Sequence, residues 1–148
     1  MALRERITED MKSAMRSGEK DRLATIRLVL SGIKQREVDE RIVLDDAQVL
    51  SVIEKMVKQR KESIAQFEAG GRTDLVAKEQ AELAILATWL PEPLSDAELD
   101  ALIASAMAST GASSIKDMGK VMAQVKTAAA GRADMAAVGA RIKKALGA

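Results

Sequence analysis

The stretch WLPEPLSDAELDALI, Trp89–Ile103, is where the chain divides. Pro91 and Pro93 lock their own φ and disfavour helix at the residue before each, so a helix must end by Leu90. Ser95-Asp-Ala-Glu98 then spells a capping box, in which the serine hydroxyl accepts from the N3 amide and the glutamate reaches back to the cap. The reading is a stiff hinge over residues 91–95, with a new helix starting immediately after it.

Upstream of the hinge, helical periodicity runs through four segments. Leu3, Ile7, Met11 and Met15 recur every fourth residue and predict a first helix ending near Ser17-Gly18. Leu23, Ile26, Leu30 and Ile33 predict a second, expected to fray through REVDER at 36–41. Asp45 or Asp46 caps a long third helix facing Val49, Val52, Ile53, Met56, Ile64 and Phe67 inward, stopped by Gly70-Gly71. Thr73 or Asp74 opens a fourth with Leu75, Leu83, Leu86 and Leu90 on one face, ended by Pro91.

Downstream, Leu99, Leu102, Ile103 and Met107 line a fifth helix that stops at Gly111. Ser114 is expected to cap a sixth running to Gly131, and Asp134 a seventh carrying Met135, Val138, Ile142 and Leu146. The expectation is all-α: a four-helix N-terminal domain over 1–90, the hinge at 91–95, and a three-helix domain over 96–148. Composition agrees. Phe67 and Trp89 are the only aromatics, so the core is built from Leu, Ile, Val, Met and Ala, most of them good helix formers.

The residue inventory removes whole classes of chemistry. With no cysteine there is no disulfide framework or thiolate nucleophile, and with no histidine the commonest general base and metal ligand is missing. No catalytic residues, cofactor or metal site are assigned. No apolar run approaches the roughly 18–20 residues that span a bilayer, so no membrane partner is expected. The three acids in the first ten residues argue against a signal or transit peptide, which leads to a cytoplasmic expectation.

Two charges interrupt apolar stripes. Arg60 lies between Met56 and Ile64, and Glu79 between Leu75 and Leu83, each at i+4 spacing. If the Gly70-Gly71 turn makes the two helices antiparallel, Arg60 and Glu79 reach the same level. A buried ion pair fixing the register of the hairpin is expected there.

Net charge is +1, yet from Lys116 onward seven Lys/Arg face only Asp117 and Asp134. Lys116 and Lys120 lie one turn apart on one helix, and Arg141, Lys143 and Lys144 lie away from the apolar stripe of the last. With Arg132 at the helix junction they outline a candidate surface for RNA phosphates. No aromatic occurs in 91–148 to stack a base, so contact would be to shape and backbone. Gly119, inside DMGKVM, flanks the apolar stripe and is expected to let another backbone approach closely.

The stretches LRERITEDMKSAM, KMVKQRKESIAQF, GRTDLVAKEQAELAIL, WLP, MGKVM and GRAD run almost end to end, and together they resemble the GatB/YqeY family, specifically its small stand-alone YqeY-like proteins. DMGKVM and GRAD…IKKAL are similar to the tail domain of the B subunit of tRNA-dependent amidotransferase. The resemblance implies a four-helix domain followed by a three-helix tail, with Met118, Gly119, Val121, Met122, Gly131, Arg132 and Asp134 matching the tail motif. Met135 departs from it, standing where glycine or proline is expected. By the same resemblance Lys116, Lys120, Arg132, Arg141, Lys143 and Lys144 would meet tRNA, with amidotransferase or tRNA synthetase components as further partners. Carbon–nitrogen ligase activity with glutamine as amide donor is implied by association alone, because the catalytic cradle of that enzyme is not in this chain. The function expected is a non-catalytic accessory protein that binds tRNA; the alternative is a protein–protein adaptor with no nucleic-acid role.

Overall fold

The computed structural model describes residues 2–147, and among them there are seven α-helices, one 3₁₀ turn and no strand. The helices are α1 (Leu3–Ser17), α2 (Lys20–Glu40), α3 (Asp46–Ala69), α4 (Thr73–Ala87), α5 (Asp96–Thr110), α6 (Met118–Ala129) and α7 (Met135–Ala145). The chain forms two compact units with the boundary between Leu90 and Pro91.

In the first unit α1 packs on α2 and α3 on α4, and α2 touches both members of the second pair. Ile7, Ile26, Val29, Ile53 and Leu86 are completely buried at the centre, with Trp89 over them. The stripe of α1 bends away from its expected end: Ala14 is buried, while Met15 is exposed. Gly18, at φ +71°, supplies the left-handed cap that turns the chain into α2.

Polar links tie this unit together over long sequence distances. The Leu3 amide, an orphan donor at the start of α1, donates to Asp46 Oδ1 at 3.1 Å. The Trp89 indole donates to Asp10 Oδ2 at 2.7 Å. α2 does not fray through 36–41 as expected but stays helical to Glu40. The reason is Glu37, which takes the guanidinium of Arg4 with one hand and the Leu44 amide, at 2.8 Å, with the other. Arg36 adds an ion pair with Glu40, and Arg41, at φ 55°, ends the helix in a left-handed turn. Asp45 caps α3 in a capping box with Gln48.

In the second unit α6 packs against both α5 and α7, which also meet. Val121, Val125, Ala129, Val138 and Ile142 form its centre. Ser95 caps α5 in the box with Glu98. α4 ends at Ala87, before the prolines come into play, and residues 92–94 are tied to the second unit: Leu94 donates to the Arg132 carbonyl at 2.8 Å and Arg132 Nε to the Glu92 carbonyl at 2.8 Å. Ser114 does not start α6. It caps a single 3₁₀ turn, Ile115–Asp117, and the α-helix begins at Met118.

Candidate interaction surfaces

The tail motif is mostly internal. Val121 is fully buried, while Met118 and Met122 pack against the core of the second unit. Gly131 takes φ +73° just beyond α6, and Asp134 caps α7 by accepting from the Ala136 amide at 3.0 Å. Gly119 does not admit a close neighbour: a Cβ there would meet nothing within 4 Å. The close approach is at Gly139 on α7, where a Cβ would lie 3.6 Å from Met122 Cε and 3.8 Å from Met118 Cε.

The six bases expected to form one surface fall into two groups. Lys116, Lys120, Lys143 and Lys144 are exposed, and Lys120 is near enough to Asp117 to help hold its carboxyl down. The two arginines are engaged inside the unit. Arg141 reaches across to α5, donating to Asp100 at 2.8 Å and Asp96 at 2.7 Å. Arg132 faces Glu98 at 3.6 Å in addition to its carbonyl bond. Lys143 and Lys144 stand in the last turn of α7, where cations oppose the negative end of the helix dipole.

Arg60 and Glu79 approach to 4.0 Å, but the shorter contact of Arg60 is to Glu82 at 3.1 Å. All three side chains are largely withdrawn from solvent, so the hairpin register is held by one cation between two carboxylates one turn apart.

Several carboxylates are shifted downward by helix caps and internal ion pairs. Glu37 is held below the usual carboxylate range, first by Arg4 and then by the Leu44 amide. Glu98 is lowered by the Ser95 hydroxyl and amide, Asp117 by the amides of Ser113 and Ser114, Asp74 by Arg72, and Glu19 by Ser17 and Arg22. A general acid working near neutral pH needs the opposite shift. An open depression of about 350 Å³ on the second unit is lined by Leu94, Glu98, Ala101, Leu102, Ala128 and Arg132, a set containing no nucleophile. Among the described residues no group of three or more acidic side chains is placed to hold a metal, and no helix is long and apolar enough to cross a membrane.

One surface escaped the sequence reading. The outer face of α2 exposes Leu28 and Val38, and the following turn exposes Ile42 and Val43, the last at 82%. Leu44, next to Ile42 and Val43 in this turn, is buried and its amide is fixed by Glu37. The available signal was that Leu28 and Val38 fall off the stripe formed by Leu23, Ile26, Leu30 and Ile33.

Comparison with known proteins bears on both units. A protein of Pyrenophora tritici-repentis called "Altered inheritance of mitochondria protein 41, mitochondrial" is 34% identical over 97% of this chain and 80% of its own length. Proteins of the same name from Lachancea thermotolerans and Kluyveromyces lactis are 37% and 42% identical over 67% and 56% of the chain. This chain spans 54% and 45% of those two, about half their length. These names overturn the cytoplasmic expectation. The acids that prompted it, Glu5, Glu9 and Asp10, belong to the packed helix α1, so their presence is a property of the fold and carries no cellular address. The family described as Yqey-like protein matches residues 4–146, spanning both units, and the chain is a member of that family.

Proposed function

We propose that this YqeY-family chain is a non-catalytic adaptor that works by binding another protein. The observation that carries this reading is the exposure of Val38, Ile42 and Val43 at the end of α2 and in the turn after it, next to the Leu44 amide held by Glu37 and the Asp45 cap of α3. Scattered single apolar residues are ordinary on a surface, but several gathered on one rigid face mark an interaction site. The names of the relatives make mitochondrial proteins the first place to look for the partner. The test is retention of a protein from nuclease-treated extract on the immobilised full chain, lost when Val38→Asp and Val43→Asp are introduced together. Retention unchanged by those substitutions, or none at all, would overturn the reading.

A second reading is favoured by Lys116, Lys120, Lys143 and Lys144, four exposed cations on the second unit. In that reading the unit binds tRNA phosphates, as the tail of an amidotransferase subunit does, and accompanies a glutamine-dependent carbon–nitrogen ligase. Arg132 and Arg141 would join only by releasing their present partners. Four phosphate contacts give a slope of log K against log salt of about −3 to −4. A titration with purified tRNA at low salt that shows no binding would sink it.

A further inference from the structure

We propose that Met118 and Met122 form a reversible oxidation site that sets how firmly α7 is held against α6. The two residues stand four apart on α6, so their side chains lie one above the other on the same face. Both reach Gly139, where a Cβ would lie 3.6 Å from Met122 Cε and 3.8 Å from Met118 Cε. The missing Cβ leaves a notch in α7, and two methionine methyls close on it. Both residues pack against the core of the second unit, yet each keeps part of its surface open to solvent, which gives a small oxidant access.

Methionine is a common gap-filler, and packing alone explains one beside a core of valines and alanines. What distinguishes this unit is how much of the layer around its core is sulfur. Met107, Met118, Met122 and Met135 all lie partly buried around a centre that includes Val121, Val125, Val138 and Ile142. The first unit builds the corresponding layer mainly from Leu23, Leu30, Leu50, Ile85 and Leu90, beside Met11 and Met56. The sequence has no cysteine, so no thiol competes for the oxidant, and Trp89 is buried.

With hydrogen peroxide the sulfur lone pair attacks one peroxide oxygen and the O–O bond breaks. The hydroxide released takes the proton of the transferred oxygen and leaves as water, so the thioether is oxidised to a sulfoxide and the peroxide is reduced. The new S=O is polar and needs a donor or water. The buried side chains nearby, Val121, Val125, Val138 and Ile142, offer no donor, and the amides in the interior of α7 are spent within the helix. The oxygen reaches water only when the side chain leaves the notch, and α7 then loses that contact with α6.

The test treats the full chain with graded hydrogen peroxide and maps oxygen uptake by tryptic mass spectrometry. Cleavage after Lys12, Arg16, Lys116, Lys120 and Lys126 puts Met15, Met118 and Met122 on separate peptides. Uptake is expected first at Met15, which is 53% exposed on the first unit, then at Met118 and Met122 while circular dichroism still shows a folded chain. After that second step, hydrogen exchange at the α7 amides should quicken at least about tenfold, with α3 and α4 unchanged. Methionine sulfoxide reductases A and B, one for each epimer, should restore the original rates. Met118→Leu with Met122→Leu, a volume-conserving exchange, should keep the fold and abolish the response, while Met15→Leu should leave it intact. Resistance of Met118 and Met122 to oxidation until the chain unfolds would overturn the proposal. So would their oxidation without faster exchange in α7, exchange that rises equally in α3 and α4, rates that the reductases do not restore, or a response that survives in the double leucine variant. All but the last are read on the unsubstituted chain and hold whether or not the double variant folds.

Discussion

The two units solve the same packing problem with different polar fastenings. Both bury aliphatic centres almost free of aromatics, Ile7, Ile26 and Ile53 in one and Val121, Val138 and Ile142 in the other. The first unit then fastens itself with bonds in which at least one partner is withdrawn from water: the Trp89 indole donates to Asp10, Arg60 to Glu82 and Arg4 to Glu37. The second uses Arg141 to Asp96 and Asp100, where the acids are 87% and 65% exposed. Hydrogen bonds to desolvated groups are expensive to break, whereas exposed ion pairs compete with water at little loss. The comparison teaches that similar cores need not share similar stability determinants.

The largest effects should be common to both units, because both rest on burial. Ile26→Ala and Ile142→Ala each remove a completely buried side chain and should cost about 2–5 kcal/mol in denaturant unfolding followed by circular dichroism. The units should part company at the polar fastenings. Asp10→Ala orphans the buried indole N–H of Trp89 and should cost about 1–3 kcal/mol, with Asp10→Asn closer to wild type because its amide oxygen still accepts. Trp89 is the only tryptophan, so its emission reads the first unit directly. A negligible loss on Asp10→Ala would erase the distinction between the units.

Acid should sharpen the same contrast. Glu37 is depressed in the folded state by Arg4 and the Leu44 amide, so its contribution is fully present above the unfolded value of about 4.3 and is lost as pH falls through the folded value. Glu37→Gln should flatten the stability profile below that point and leave its shape near neutrality unchanged. Arg141→Gln in the second unit should cost no more than about 1 kcal/mol and still less at high salt, because its partners are exposed.

What the sequence displayed, and what it hid, follows the range of the interactions. The caps at Ser95, Asp45 and Asp134 are local chemistry, and each is found where its residue pattern placed it. The persistence of α2 to Glu40 was invisible, because it depends on Arg4, 33 residues earlier in the chain. The engagement of Arg141 with Asp96 and Asp100 was hidden for the same reason, the partners lying 45 and 41 residues away.

The smallest expected effect concerns Gly119 and Gly139, the two glycines inside helices α6 and α7. Counting Ile115 in the apolar stripe places Gly119 beside it, but Ile115 stands in the 3₁₀ turn before α6 and is exposed, so the stripe is Met118, Val121, Met122 and Val125 and Gly119 lies off its edge. Gly119 therefore faces open space, and Gly139 instead lies against Met118 and Met122. Neither glycine has a positive φ, so alanine is conformationally acceptable at both. Gly119→Ala should stabilise the chain by about 0.5 kcal/mol, below the mid-helix value because the position is in the first turn. Gly139→Ala brings a methyl to 3.6 Å from the tip of Met122, an ordinary contact with a flexible side chain, so it should stabilise by a similar or slightly larger amount. Destabilisation by Gly119→Ala in the isolated chain would contradict the open environment found there. A stabilising Gly119→Ala that weakens tRNA or protein binding would instead place a partner's backbone over Gly119, giving that glycine a role the isolated fold does not require.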